Sequence, residues 1–107
     1  MVKKNACVFI SGSGTNLKAL LKNSREYNFP ININYIVCNN KNARGLRFAK
    51  LYNIPFIIID LNKIINLEFI LNEFKKRNIS LICLAGYMKI LNKKIINKFD
   101  RKIINIH

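Results

Sequence analysis

Residues 10–17 read Ile10-Ser11-Gly12-Ser13-Gly14-Thr15-Asn16-Leu17, and what flanks them decides the fold. Ahead of them, Ala6-Cys7-Val8-Phe9-Ile10 is a short continuous apolar run of the kind that forms a buried parallel strand. Behind them, Leu17, Leu20 and Leu21 share one helical face. Strand, glycine turn and helix start, in that order, bring unsatisfied backbone N–H groups to the carboxyl end of a strand. The positive end of the helix dipole lies there too, and the place suits an anion. Gly12 and Gly14 allow a tight turn and close backbone approach. Ser11, Ser13, Thr15 and Asn16 add donors, and Thr15 or Asn16 is placed to cap the helix. The stretch reads as a phosphate cradle; the plain alternative is a turn that only joins strand to helix.

What is missing narrows the phosphate. A dinucleotide fingerprint requires a third glycine where Leu17 stands, and an acidic residue after the second strand where Asn39 and Asn40 stand. A P-loop requires Gly-Lys-Ser/Thr, which the chain lacks. A phosphate monoester fits better than NAD or ATP.

The second helix is expected over 43–52, with Gly45 weakening it and Leu46 and Ala49 on one side. Between the first helix, over 16–26, and this one, Ile31, Ile33, Tyr35 and Val37 alternate with Asn32 and Asn34, predicting a strand over 31–38 with one apolar and one half-polar face, near a sheet edge. Phe56-Ile57-Ile58-Ile59 and Leu81-Ile82-Cys83-Leu84 read as further parallel strands, and 103–106 as a fifth. Leu67, Ile70, Leu71 and Phe74 mark the clearest helix, its C-terminal end carrying Lys75, Lys76 and Arg77 where the dipole favours them. A short helix follows Asn92, its expected cap, with Ile95, Ile96 and Phe99 inward. This alternation predicts an α/β fold, a doubly wound parallel sheet of about five strands in the order 3-2-1-4-5. Its switch point lies between strands one and four, where residues 11–16, 85–91 and 105–107 converge.

The 107 residues bound the answer to one domain. A net charge of +14 raises the possibility of nucleic-acid binding. Lys, Asn and Ile, however, supply 14, 17 and 19 residues, the signature of AT-rich codons. The lysines are dispersed, without the interleaved aromatics of a binding stripe. Specific nucleic-acid recognition is therefore the weakest reading, and acidic small molecules remain compatible with the charge. Cys7, Cys38 and Cys83 each sit in an apolar run without metal-type spacing. They read as buried thiols in a reducing, cytoplasmic setting, with no metal. The apolar run after Lys3 and Lys4 is too short for a signal peptide, and no segment is long enough to span a membrane.

Three stretches in register, Ile-Ser-Gly-x-Gly-Thr-Asn-Leu at 10–17, Leu-Ala-Gly-Tyr-Met-Lys-Ile-Leu at 84–91 and Asn-Ile-His at 105–107, resemble phosphoribosylglycinamide formyltransferase over the whole chain. The glycine loop separates it from the related methionyl-tRNA formyltransferase and formyltetrahydrofolate deformylase, which share Asn-Ile-His. The resemblance implies a Rossmann-like formyltransferase nucleotide-binding half over 1–107. It implies transfer of a formyl group from 10-formyltetrahydrofolate to the amine of glycinamide ribonucleotide, in purine biosynthesis. Gly14, Thr15 and Asn16, with Gly12 and Ser13, match the loop that holds the substrate phosphate. Met88, Lys89, Ile90 and Leu91 match the folate segment, to which Asn105 also belongs, and Lys63 is the nearest match to a basic folate contact. Asn105 and His107 match two of a catalytic trio.

An amide donor and an imidazole suit an oxyanion and its proton transfers. Two apart on a strand, they point to one side. The family's catalytic aspartate and a Pro-Ser-Leu-Leu-Pro-like loop belong to a further C-terminal half, which the reading takes as a needed partner. The competing expectation is a shortened, non-catalytic remnant that keeps the fold and phosphate binding.

Overall fold

The computed structural model describes residues 2–87, 93–99 and 102–106. Strands and helices alternate: β1 (Lys4–Ile10), α1 (Thr15–Ser24), β2 (Ile31–Cys38), α2 (Leu46–Leu51), β3 (Phe56–Ile58), α3 (Ile64–Lys76), β4 (Leu81–Ala85), α4 (Lys93–Lys98) and β5 (Lys102–Ile106). All four strand pairings are parallel, in the order β3-β2-β1-β4-β5. The expected topology is the one observed, and it sets the ends of β1, β4 and β5 side by side.

Two apolar layers flank the sheet. Ala6, Val8 and Ile10 pack with Leu17 and Leu21 of α1 and with Leu46 and Ala49 of α2. The alternate residues Cys7 and Phe9 pack with Leu67, Ile70 and Phe74 of α3 and with Ile95 of α4. Strand alternation makes this division in β1, and β1 is buried on both faces, as the centre of a parallel sheet should be.

In β2 the expected alternation breaks. Ala6 pairs with Ile33 but Cys7 pairs with Tyr35, so Asn34 is an extra residue, a β-bulge. The bulge reverses the parity of everything after it. Ile31 and Ile33 join the α1 layer, whereas Tyr35 and Val37 join the α3 layer. The four residues from Tyr35 to Cys38 are all buried, so this half of β2 has no half-polar face. β2 also lies inside the sheet, between β1 and the edge strand β3.

Three local expectations are corrected as well. No side chain caps α1: Gly14 holds the N-cap position, and Thr15 is the first helical residue. α2 begins at Leu46, because residues 40–45 form successive turns rather than a helix. Ile96 is 48% exposed, since α4 buries only the stripe of Ile95. Asn92, its expected cap, lies outside the described residues.

Helices α2 and α3 stop in the same way. Asn53 and Asn78 adopt positive φ (58° and 54°). The following residues bond back, Ile54 N to Ala49 O and Ile79 N to Phe74 O, both at 2.9 Å. Asparagine tolerates the left-handed conformation that closes this motif, and the isoleucine then starts the return to the sheet.

The three thiols are free and buried. Burial pushes Cys83 up to about 11, and raises Cys7 and Cys38 as well. Burial likewise takes the Tyr35 hydroxyl to about 12, with Glu73 adding to the shift. An unfolded thiol deprotonates near 9.0, so the unfolded state releases its proton first. The stability Cys83 contributes is present below about pH 9 and is lost as pH climbs toward 11. Thermal midpoints should therefore fall across that window, and the native chain should resist a thiol reagent at neutral pH. A midpoint that stays level between pH 9 and 11 would contradict this.

Candidate functional site

The loop between β1 and α1 lies at the carboxyl end of β1, beside the ends of β2 and β4. Three of its carbonyls are occupied. Ser11 O accepts from Asn40 Nδ2 (3.3 Å), Gly12 O from Gly45 N (3.0 Å) and Gly14 O from Lys18 N (2.8 Å). The first-turn N–H groups of α1 have no intrahelical acceptor, and neither a capping side chain nor an acidic residue competes for them. Ser13 and Thr15 are exposed, their hydroxyls 3.2 Å apart. Three carbonyls are thus bonded to protein donors while the first-turn N–H groups of α1 lack a capping side chain, an arrangement that suits an anion.

The two loop glycines serve different purposes. A Cβ on Gly12 would meet nothing within 4 Å. Gly14 is buried at φ +78°, and a Cβ there would stand 2.4 Å from Gly45 Cα and 3.3 Å from Phe48 Cδ2. The open side of the loop therefore lies at Gly12, whereas Gly14 is glycine because it packs against the start of α2. Gly45 is the reciprocal half of this contact, its own Cβ position being 3.0 Å from Gly14 Cα. Sequence reasoning took Gly45 only as a weak point in a helix. The available signal was a second glycine one crossover away, at the end of the neighbouring strand's loop.

Phe48 also gathers charge. Lys18 Nζ lies 5.7 Å and the Arg47 guanidinium 5.4 Å from its ring centroid, distances at which a cation is attracted by the ring face. Cations from α1 and α2 thus stand near the loop, although the lysines look dispersed along the sequence.

Asn105 lies on β5 opposite Leu84 of β4 and is exposed. By alternation it is on the face of Ile103, the α3 side of the sheet. Tyr87, just beyond β4, is half-buried against Phe9 in an edge contact (5.3 Å between centroids). Burial raises its pKa, and the charge of Asp60, in the loop after β3, adds to the shift. Lys63 follows in that loop, exposed at the N-cap of α3 with extended backbone. Met88, Lys89, Ile90, Leu91 and His107 lie outside the described residues. Among the described residues no group of three or more His, Cys, Asp or Glu side chains is arranged to hold a metal. None of their helices is long and apolar enough to cross a membrane.

Residues 4–107 match the family model described as formyl transferase. The chain belongs to the formyl transferase family. It is 38% identical over 108 residues to the phosphoribosylglycinamide formyltransferase of Haemophilus influenzae, covering 97% of this chain and 51% of that protein. It is 34% identical over 112 residues to the human trifunctional purine biosynthetic protein adenosine-3, covering 98% of this chain and 11% of that protein. The glycinamide ribonucleotide transformylase 1 structure from Geobacillus kaustophilus superposes with a TM-score of 0.87 at 32% identity, covering 99% of this chain and 58% of that one. This formyl transferase chain thus spans about half the length of the bacterial proteins it matches.

Proposed function

We propose that this chain is the nucleotide-binding half of a cytoplasmic formyltransferase acting on glycinamide ribonucleotide in purine biosynthesis. The observation that carries the reading is the loop at 11–16, which offers the first-turn donors of α1 while its carbonyls at Ser11, Gly12 and Gly14 are bonded elsewhere. Gly14, Thr15 and Asn16, with Gly12 and Ser13 beside them, would hold the substrate phosphate there. The neighbouring cations Lys18 and Arg47 favour the same charge. The relatives named for this activity support the choice of ribonucleotide.

10-Formyltetrahydrofolate supplies the one-carbon unit. Met88, Lys89, Ile90 and Leu91 would line its ring system, with Asn105 adjacent and Lys63 approaching from the loop after β3. As the substrate amine attacks, negative charge develops on the formyl oxygen. The Asn105 amide would donate to that oxygen, and as the formyl carbon–N10 bond breaks the His107 imidazole would pass the proton released by the amine to N10 of the departing tetrahydrofolate. Completion of the site falls to a partner segment, the polypeptide that the longer relatives carry beyond the matched region.

The test is formyl transfer measured in the protein as its gene encodes it, with glycinamide ribonucleotide and the formylated folate. Asn105→Ala and His107→Ala should each lower kcat by about two orders of magnitude, as loss of an oxyanion donor does. Ribonucleotide affinity should change far less. Parallel losses in affinity and kcat would instead assign them to substrate binding. Ribonucleotide binding with no turnover would support a non-catalytic remnant.

A further inference from the structure

The segment after β2 does more than connect it to α2. Asn40 is held in place from three sides: its carbonyl accepts from Cys38 Sγ (3.1 Å), its N–H lies 3.4 Å from the same sulfur, and its Oδ1 accepts from Asn42 N (3.0 Å). The side-chain amide is thereby left with one direction for its Nδ2, toward Ser11 O at 3.3 Å. Five residues on, Gly45 N donates to Gly12 O at 3.0 Å, and its missing side chain lets Gly14 lie against it. Two consecutive carbonyls of the β1–α1 loop are therefore fixed by donors from a single neighbouring loop.

A peptide plane has its N–H and C=O on opposite sides. Holding the carbonyls of Ser11 and Gly12 back toward residues 40–45 directs the N–H groups of Gly12 and Ser13 forward. We propose that Asn40 and Gly45 are positioning residues for phosphate affinity, acting through the β1–α1 loop without touching the ligand. This rests on the reading of that loop as the phosphate cradle. It also makes the β2–α2 loop a determinant of how well the protein distinguishes a phosphorylated substrate from its dephosphorylated counterpart.

The experiment uses the protein as its gene encodes it, titrated by calorimetry with ribose 5-phosphate and with glycinamide ribonucleotide, alongside thermal melts. In Asn40→Ser the hydroxyl still accepts from Asn42 N–H, but no amide reaches back to Ser11. Both ligands should bind about tenfold more weakly, the effect of one lost hydrogen bond, while the melting midpoint stays put. In turnover, KM for the ribonucleotide should rise by a similar factor with kcat nearly unchanged. Gly45→Ala should weaken both ligands too, with some loss of stability, because its Cβ presses on the Gly14 backbone. Parental affinity in Asn40→Ser overturns the proposal. So does a collapsed melting transition in that variant, which would make Asn40 a residue of the fold alone. Failure of the unsubstituted protein to bind ribose 5-phosphate removes the cradle reading itself, an outcome seen before any variant is made.

Discussion

Gly14→Val is expected to lower stability by about 3 kcal/mol and to remove ribonucleotide binding altogether. Two costs combine. The backbone sits at φ +78°, a conformation that costs an L-residue about 1–2 kcal/mol and suits a β-branched one least. The new Cβ would also stand 2.4 Å from Gly45 Cα, and forcing extra atoms into a packed contact typically costs about 1–3 kcal/mol. A small domain has about 5–15 kcal/mol in all, so the melting midpoint should drop sharply. Binding fails for a separate reason: relief of the clash moves the loop off α2 and breaks the Gly45 N to Gly12 O bond. Gly12→Ala is the control. Its Cβ meets nothing within 4 Å and no positive φ demands glycine, so its midpoint should match the parent. A Gly14→Val protein that melts like the parent would refute the glycine–glycine contact.

That contrast marks how far the sequence could be read. Apolar runs such as Phe56-Ile57-Ile58 and Leu81-Ile82-Cys83-Leu84, separated by helical periods, determine a parallel sheet almost by themselves. Handedness of the crossovers then leaves few strand orders. The same local logic found both Gly12 and Gly14 in one loop and gave them one role. Their difference depends on Gly45, more than thirty residues from Gly12, and no local pattern encodes that contact.

The β2 strand misled for a related reason. Ile31, Ile33 and Tyr35 alternate with Asn32 and Asn34 straight through the bulge. A bulge is a property of the pairing between two strands, so one strand's alternation cannot reveal it. Asn34 was the available signal: asparagine is depleted in strand interiors, and here its Oδ1 is buried without a partner among the described residues. The candidate site's motifs were legible in the sequence and its supports were not. Asn40 looked like one more loop asparagine, and its bond to Ser11 O appears only when β1 and β2 are laid side by side.

Residues 1–107 made as an isolated polypeptide are expected to show no measurable formyl transfer. The reason lies on one face of the sheet. Helices α1 and α2 cover β1 and its β2–β3 side, leaving an apolar groove of about 360 Å³ over β4 and β5, lined by Leu20, Phe29, Leu81, Cys83, Ile104 and Ile106 among others. Among the described residues β5 pairs only with β4, so one of its edges has no described strand beside it, and such an edge invites association with other chains. Asn105 sits on this strand. In the proposed role its amide would have to be held to a fraction of an ångström against the formyl oxygen, and small displacements there are expensive. The Haemophilus influenzae relative is about twice as long as the matched region, and the prediction assigns cover of this groove and edge to additional residues of that kind. The test is to purify the isolated polypeptide and follow consumption of the formylated folate with glycinamide ribonucleotide. A separately made C-terminal half of the Haemophilus influenzae protein is then added. Turnover should appear only on mixing, with a soluble complex replacing aggregates in sedimentation, because covering the groove fixes β5 and with it Asn105. Turnover by the isolated polypeptide would overturn this, since it would mean that β5 holds its catalytic geometry without cover.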